Sequence, residues 1–430
     1  LHLSIRRQRQ MCIRDSRGKT SNANMSGVCI TGGVHGTNLS NVYSADVEGK
    51  VIASGRGRIL IDGEGTATNT LGLALSETSY GGVSIRSGYN AVASESAISL
   101  IGKTNSTYPG LRFGWLVSDH YGNENLVQAT GTGGISLTGE NPPTAGWYSI
   151  EFNGASILSR EGDIKIDAIG KGSRFSGNYG GHVIPNKFGS CVPARVAAFD
   201  TTWFATTSSY QANFWAYGCE DSLIATSSAD ITFRGNEIVE FGSHHQTMVR
   251  TQGHFVIEPM GSSFNRPLNW FGNWGSVVPE SIRFGKESGV DTTSADITIN
   301  TPMVARKSVE IYSRNSYIYN NIRTLDAGNG TTGGVRLKSE QDIYLDSDDN
   351  IRTNGSPIVF WSDSNGDNDG AIQLHHNNEV CSGFTASCQT TGGADIIMAG
   401  GTTFETRSNS YDLNRTMPTG FASGLSLIHI

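Results

Sequence analysis

The sequence holds little that would build a helical globule or a membrane span. Of its 430 residues only 17% are charged and 11 are proline. No apolar run approaches the roughly 18 residues that a spanning helix needs, and no capped stretch of period 3.6 is long enough to set a helix. Cysteine is sparse, at Cys12, Cys29, Cys191, Cys219, Cys381 and Cys388, and neither a CxxC pair nor a His/Cys zinc spacing occurs. Cys381 could pair with Cys388 and Cys191 with Cys219, leaving Cys29 over, so the count permits an oxidising compartment without requiring one. Gly131-Thr132-Gly133-Gly134 leads into a strand, which excludes a phosphate-cradling loop at a helix start. The formal charge is −7, and an acidic chain with scattered lysines does not attract nucleic acid or anionic lipid.

The two ends are expected to be foreign. Met11-Cys12-Ile13-Arg14-Asp15-Ser16 can be encoded by ATG TGT ATA AGA GAC AG, whose reverse complement translates as Leu-Ser-Leu-Ile-His-Ile, the residues at 425–430. Inverted adapters on a DNA fragment give this symmetry, and Arg6-Arg7-Gln8-Arg9-Gln10 extends the match to a transposase-type sequencing adapter. Residues 1–16 and 425–430 are therefore set aside, and 17–424 are expected to be an internal piece of a longer gene. The first sixteen residues carry four arginines and one aspartate, so the rest has 28 basic and 38 acidic residues.

What is abundant is glycine, 54 residues, between short strand signals with apolar residues two apart. Examples are Ile59-Leu60-Ile61, Val83-Ser84-Ile85, Ile98-Ser99-Leu100, Ile135-Ser136-Leu137, Ile164-Lys165-Ile166 and Ile231-Thr232-Phe233. The series continues with Ile297-Thr298-Ile299, Val309-Glu310-Ile311, Val335-Arg336-Leu337, Ile343-Tyr344-Leu345 and Ile396-Ile397-Met398. Period two buries one face and wets the other, and the Gly, Asn and Asp between runs supply turns.

A longer period overlies these runs. Asp163-Ile164, Asp230-Ile231 and Asp296-Ile297 lie 67 and 66 residues apart, and Ser-Ala-Asp-Ile-Thr recurs at 228–232 and 294–298. Such self-similarity marks a stacked architecture in which each coil buries its apolar face against its neighbours. The expected fold is all-β, a right-handed parallel β-helix, with Ile164, Ile166, Ile231, Ile297 and Ile299 facing inward. A β-sandwich is the alternative, but it favours longer strands. Coils of roughly 20–25 residues would give about 17–20 coils and a length of ~80–95 Å at the parallel-strand spacing. Regularity fails over 187–227, where Trp203, Phe204, Phe214 and Trp215 sit among Ser and Thr, and again over 260–279. The expected organisation is Gly-rich repeats over 17–186, coils with irregular aromatic loops over 187–290, and further repeats over 291–424.

Residues 28–175 are similar to Gly-rich GxIxLxGxG repeats. From about 222 onward an ordered series of phrases follows, among them Phe255-Val256-Ile257-Glu258-Pro259, Ser281-Ile282-Arg283-Phe284-Gly285-Lys286, Gly334-Val335-Arg336-Leu337-Lys338, Ile358-Val359-Phe360-Trp361 and Gly370-Ala371-Ile372-Gln373-Leu374. Together these resemble the repeat region of giant secreted bacterial adhesins of the filamentous-haemagglutinin type, over most of 28–420. The resemblance implies a non-catalytic, extracellular or cell-surface β-helical stalk, with glycans or other cells as partners and no cofactor. A monomeric stalk is expected. A polysaccharide-degrading β-helix enzyme and a phage tail spike are the alternatives.

Candidate chemistry is thin. Asp363, Asn365, Asp367 and Asp369 space oxygen ligands at every second residue, as a calcium loop does. Asn368 stands where an EF-hand has glycine and Leu374 where it has a bidentate glutamate, so a turn between two strands competes with the ion site. Asp346, Asp348 and Asp349 form a weaker version. His244 and His245 are adjacent on a strand signal and point to opposite faces, which disfavours one shared ion with His254. Asp348-Asp349 with Gly253-His254 is the nearest approach to a polygalacturonase-like set, in the wrong order. Trp270 and Trp274, with Arg266 close by, form the densest aromatic group, either a glycan-stacking patch or an internal plug.

Overall fold

A computed structural model describes residues 15–21, 26–30, 49–53, 57–75, 83–90, 95–113, 125–153, 155–176, 195–198, 228–240, 248–271, 278–287, 294–326, 333–367, 369–383, 393–400 and 426–429. Among them are 34 strands and no helix. The chain forms two compact units, one of residues 1–254 with 272–277, the other of 255–271 with 278–430.

In the first unit the chain passes six times through the same three positions. The passes are β1 (Asp15–Thr20), β2 (Ser26–Ile30) and β3 (Gly49–Ala53); then β4 (Ile59–Gly65), β5 (Leu71–Leu75) and β6 (Val83–Ser87); then β7 (Ser96–Thr104), β8 (Leu111–Phe113) and β9 (Asn125–Ala129). They continue with β10 (Gly134–Glu140), β11 (Ile150–Asn153) and β12 (Ala155–Ser159); β13 (Ile164–Ile169), β14 (Ser173–Ser176) and β15 (Arg195–Ala198); and β16 (Ile231–Gly235), β17 (Ile238–Glu240) and β18 (Met248–Arg250). Each strand pairs with the one three later in sequence, giving three six-stranded ladders, and the registers are parallel.

The second unit repeats the scheme. It begins with β19 (His254–Glu258), whose first residue belongs to the first unit, and β20 (Leu268–Trp270), followed by β21 (Ser281–Phe284), β22 (Ile297–Ile299) and β23 (Met303–Ala305), then β24 (Ser308–Ser313), β25 (Ser316–Ile318) and β26 (Ile322–Thr324). Next come β27 (Gly334–Ser339), β28 (Ile343–Leu345) and β29 (Asn350–Arg352), β30 (Ile358–Trp361), β31 (Ile372–Leu374) and β32 (Glu379–Cys381), and β33 (Ile396–Gly400). Its ladders are β19-β21-β24-β27-β30-β33, β20-β22-β25-β28-β31 and β23-β26-β29-β32. Parallel pairing at an offset of three strands, two at β19–β21 and β20–β22, is the connectivity of a parallel β-helix, so the sandwich alternative is excluded.

All eleven short strand signals read from the sequence lie in strands. Ile164, Ile166, Ile231, Ile297 and Ile299 are at most 1% exposed, because their parity matches Ile135, Leu137, Leu268 and Trp270 on the neighbouring passes. A uniform coil length does not hold. Equivalent residues lie 26 apart at Ser313 and Ser339, 39 apart at Arg112 and Glu151, and 67 apart at Asp167 and Arg234. Ladders fix only the strands, and lengthening a surface connection costs little closure entropy. The 67-residue spacing is one pass, since Ile164 pairs with Ile231, but the 66-residue spacing is not. Asp230-Ile231 opens a first-ladder strand, whereas Asp296-Ile297 opens a second-ladder strand.

Glycine acts at one column in particular. Gly63, Gly102 and Gly139 stand in register on β4, β7 and β10. A Cβ on them would lie 2.1, 2.0 and 2.3 Å from the carbonyl oxygens of Gly72, Gly110 and Ser149. These glycines therefore let the first ladder's backbone touch the start of the second ladder. One pass later Ala168 occupies the same column, fully buried.

Two segments read as foreign also take strand positions. Asp15 and Ser16 extend β1 beside Leu60 and Ile61, and β34 (Ser426–His429) lies antiparallel on β33. A ladder's last strand presents unpaired backbone groups that an extended apolar segment can satisfy whatever its origin.

Candidate functional site

Several outward side chains on the first ladders are charged and meet an opposite charge one pass away. Lys19, Glu64, Lys103 and Glu140 stand side by side, with Lys19–Glu64 at 2.7 Å and Lys103–Glu140 at 3.4 Å. In the second unit Arg283 meets Glu258 at 2.7 Å, and Glu310 and Arg336 follow in register. Exposed pairs of this kind stabilise by only about 0.2–1 kcal/mol each. Arg112–Glu151 is the buried case, at 3.3 Å with 3% and 1% side-chain exposure. Lys338 is 1% exposed, with its Nζ 3.1 Å from Glu287 Oε1 and 4.8 Å from the Trp361 ring centre. Burial, followed by the Glu310 carboxylate, pushes the neighbouring Tyr312 hydroxyl well above its usual range.

The Asp that so often precedes a strand has a structural task. The Asp230 N–H donates to Asp163 Oδ1 at 3.0 Å, and the His254 N–H donates to Asp230 Oδ1 at 2.8 Å. The second unit uses Asn315, Asp342, Asn321 and Asn350 in the same way, each accepting from a backbone N–H of the next pass at 2.9 Å. Burial raises the Asp163 carboxyl above its ordinary value against the lowering effect of that hydrogen bond. Its ionised form is therefore a cost, so the stability it contributes is largest at low pH and is lost as pH rises through the folded value. Asp163→Asn should keep the acceptor and remove this pH dependence. Asp163→Ala should lose about 1 kcal/mol by chemical denaturation, the usual effect of deleting a capping oxygen. Equal stability of the Ala and Asn variants would show that the acceptor contributes nothing.

The calcium-like residues lie in a turn between β30 and β31. Asp363 is fully buried and has φ +53°, and the Gly366 N–H closes back on its carbonyl at 3.1 Å. Asp367 accepts from Asn365 Nδ2 and from the Asp369 N–H, both at 2.9 Å, and Asp369 accepts from Gln341 Nε2 at 2.9 Å. These carboxylates thus accept amide hydrogen bonds within the turn and from the preceding pass. Asp346, Asp348 and Asp349 occupy a second turn, stacked on 375–378, with Asp348 and Asn377 both at positive φ and joined by a 2.9 Å hydrogen bond. Partial burial, then Asp346 and Asp348, raise the Asp349 carboxyl. Among the described residues no group of three or more His, Cys, Asp or Glu is arranged to hold a metal.

Of the two readings of the aromatic group, Trp270 takes the internal one. Trp270 is 5% exposed and packs between Phe255 and Phe284, with ring centres 5.4 and 5.2 Å away. It shares the inward parity of Leu268, so its indole fills the interior and cannot stack on a sugar. Arg266 is exposed. Trp274, His244, His245, Cys191, Cys219, Cys388 and the aromatics of 203–215 lie outside the described residues. His254 is exposed at the start of β19. It belongs to the first unit, whereas Asp348 and Asp349 belong to the second. Cys381 is disulfide-bonded, and Cys29 is exposed on β2.

A partly exposed aromatic group lies elsewhere on the same ladder as Trp270, on β25 and β28. Tyr317 and Tyr344 are in register on β25 and β28, at the outward middle position of three-residue strands. The Tyr344 ring centre is 6.2 Å from Tyr317, 5.8 Å from Tyr319 and 4.7 Å from His375. The Tyr344 hydroxyl donates to Asp346 Oδ1 at 3.1 Å. Partial burial and that carboxylate push its pKa up to about 12. The parity of Ser316-Tyr317-Ile318 and Ile343-Tyr344-Leu345 was the available signal. Searches against protein-family models, curated proteins and solved structures return no match for the chain.

Proposed function

We propose that this chain is a non-catalytic stalk segment of a large secreted or surface-displayed bacterial adhesin. The observation that carries the proposal is the coil-to-coil pairing of outward charge, which spends ionisable groups on linking one pass to the next. The disulfide at Cys381 agrees with export to an oxidising compartment. Coils that differ in length while the ladders keep register suit a spacer, whose task depends on stacking and not on one fixed loop.

The test places the chain between a cell-surface anchor and a binding module, on cells whose own coat masks the module. Capture of ligand-coated beads should rise with the number of passes retained. It should survive exchange of the charges at Glu310 and Arg336, and purified chain should release no oligosaccharide from uronate or neutral polysaccharides. Capture indifferent to pass number would overturn the stalk reading, and polysaccharide cleavage would replace it with the enzyme alternative.

A further inference from the structure

We propose that the outward face of the second ladder in the second unit binds a quaternary ammonium group of the choline type, seated on Tyr344 between Tyr317, Tyr319 and His375. This site is independent of the stalk reading and can fail without affecting it. Tyr319 is 41% exposed and Leu374 40%, so the face is open to solvent. The three tyrosine rings do not form a flat platform, since Tyr317 and Tyr319 are each tilted 54° to Tyr344 and His375 meets it at 60°. Flat platforms suit the face of a sugar ring. Rings tilted to one another can turn more than one negative π-face toward one small cation.

Charge selects the same occupant. Asp346, bonded to the Tyr344 hydroxyl, begins a turn that also carries Asp348 and Asp349. No Lys or Arg forms an ion pair with any of the three among the described residues. Arg314, which interacts electrostatically with Tyr317, is held by Asp296 through bonds of 2.9 and 3.1 Å. His375 and His376 are the remaining titratable bases beside the patch, both exposed. Asp346 and Asp348 already accept hydrogen bonds from the Tyr344 hydroxyl and the Asn377 amide. A quaternary ammonium, which has no N–H donors to satisfy, is the cation that aromatic cages characteristically take.

The test is an NMR titration of the whole chain carrying 13C-labelled tyrosine, with signals assigned by substitution. Choline chloride should shift the Tyr344 and Tyr319 ring signals saturably, where sodium chloride at equal ionic strength does not. The uncharged isostere 3,3-dimethylbutanol should bind at least about 10-fold more weakly, the loss expected when a cation–π contact is removed. Tyr344→Leu should abolish the response and Asp346→Asn should weaken it several-fold. Tyr319→Ser, at an exposed position outside the strand, should also weaken it in a chain that melts like the parent. Equal affinity for the isostere, no saturable shift with choline, or the same signals moved instead by a methyl pyranoside would each overturn the proposal.

Discussion

Ile297→Asp should unfold the stack around β22 at temperatures where the parent chain is fully folded. Ile297 has no exposed surface and stands in register between Leu268 and Ser316. Aspartate there removes a packed aliphatic side chain, a loss of about 2–4 kcal/mol by itself. It also places a carboxylate where no cation partners it, which adds several kcal/mol or forces protonation. The total expected effect exceeds about 4 kcal/mol, a size reserved for failures of the core. Ile297→Val should cost only about 1 kcal/mol, giving a graded control at the same site. Denaturant melting with limited proteolysis reads both, and the damage should stay near β22, because stacked passes contact only their neighbours. A melt of the Asp variant within about 0.5 kcal/mol of the parent would mean that Ile297 faces solvent.

Gly102→Ala is the second large effect, and its mechanism is crowding. The added methyl would lie 2.0 Å from the Gly110 carbonyl oxygen and 2.6 Å from its carbon, so backbone has to move. Gly110 cannot retreat freely, since its own Cβ position lies 2.4 Å from the Glu140 nitrogen of the next pass. Displacement therefore spreads along the stack, and we expect a loss of about 3 kcal/mol, at the upper end for overpacking by one methyl. Gly261→Ala provides the contrast. Nothing lies within 4 Å of its Cβ position, and the change should stay within about 0.5 kcal/mol. Comparable denaturant midpoints for the two variants would remove the glycine column as a determinant of the fold.

Local alternation was legible in the sequence because it is set by parity. Ile164 and Ile166, or Ile297 and Ile299, state their side without knowledge of the partner strand. The pairing of passes was not legible. Ser-Ala-Asp-Ile-Thr encodes a capping carboxylate followed by an inward isoleucine, and two different ladders accept it at 228–232 and 294–298. Gly63, Gly102 and Gly139 become a column only once strand registers are known, since the residues between them vary in number. At the candidate sites, aromatic clustering left a glycan patch and an internal plug both open, and alternation decides between them. Trp270 follows Leu268 by two and is buried, whereas Tyr317 precedes Ile318 by one and faces outward.

The uneven coil lengths carry a consequence for the order in which the chain folds. Most passes close over a few tens of residues, as between Ser313 and Ser339, 26 apart, but Asp167 and Arg234 meet across 67. Closing the longer segment costs about 0.8 kcal/mol more in chain entropy, and contacts of such separation form slowly. Arg234 grips Asp167 there through two bonds of 2.7 and 2.8 Å, worth about as much as the added entropy. Assembly of the first unit should therefore run quickly from β4 to β13 and pause before β16, leaving a nascent chain whose leading passes are finished while its last waits for a partner still being made.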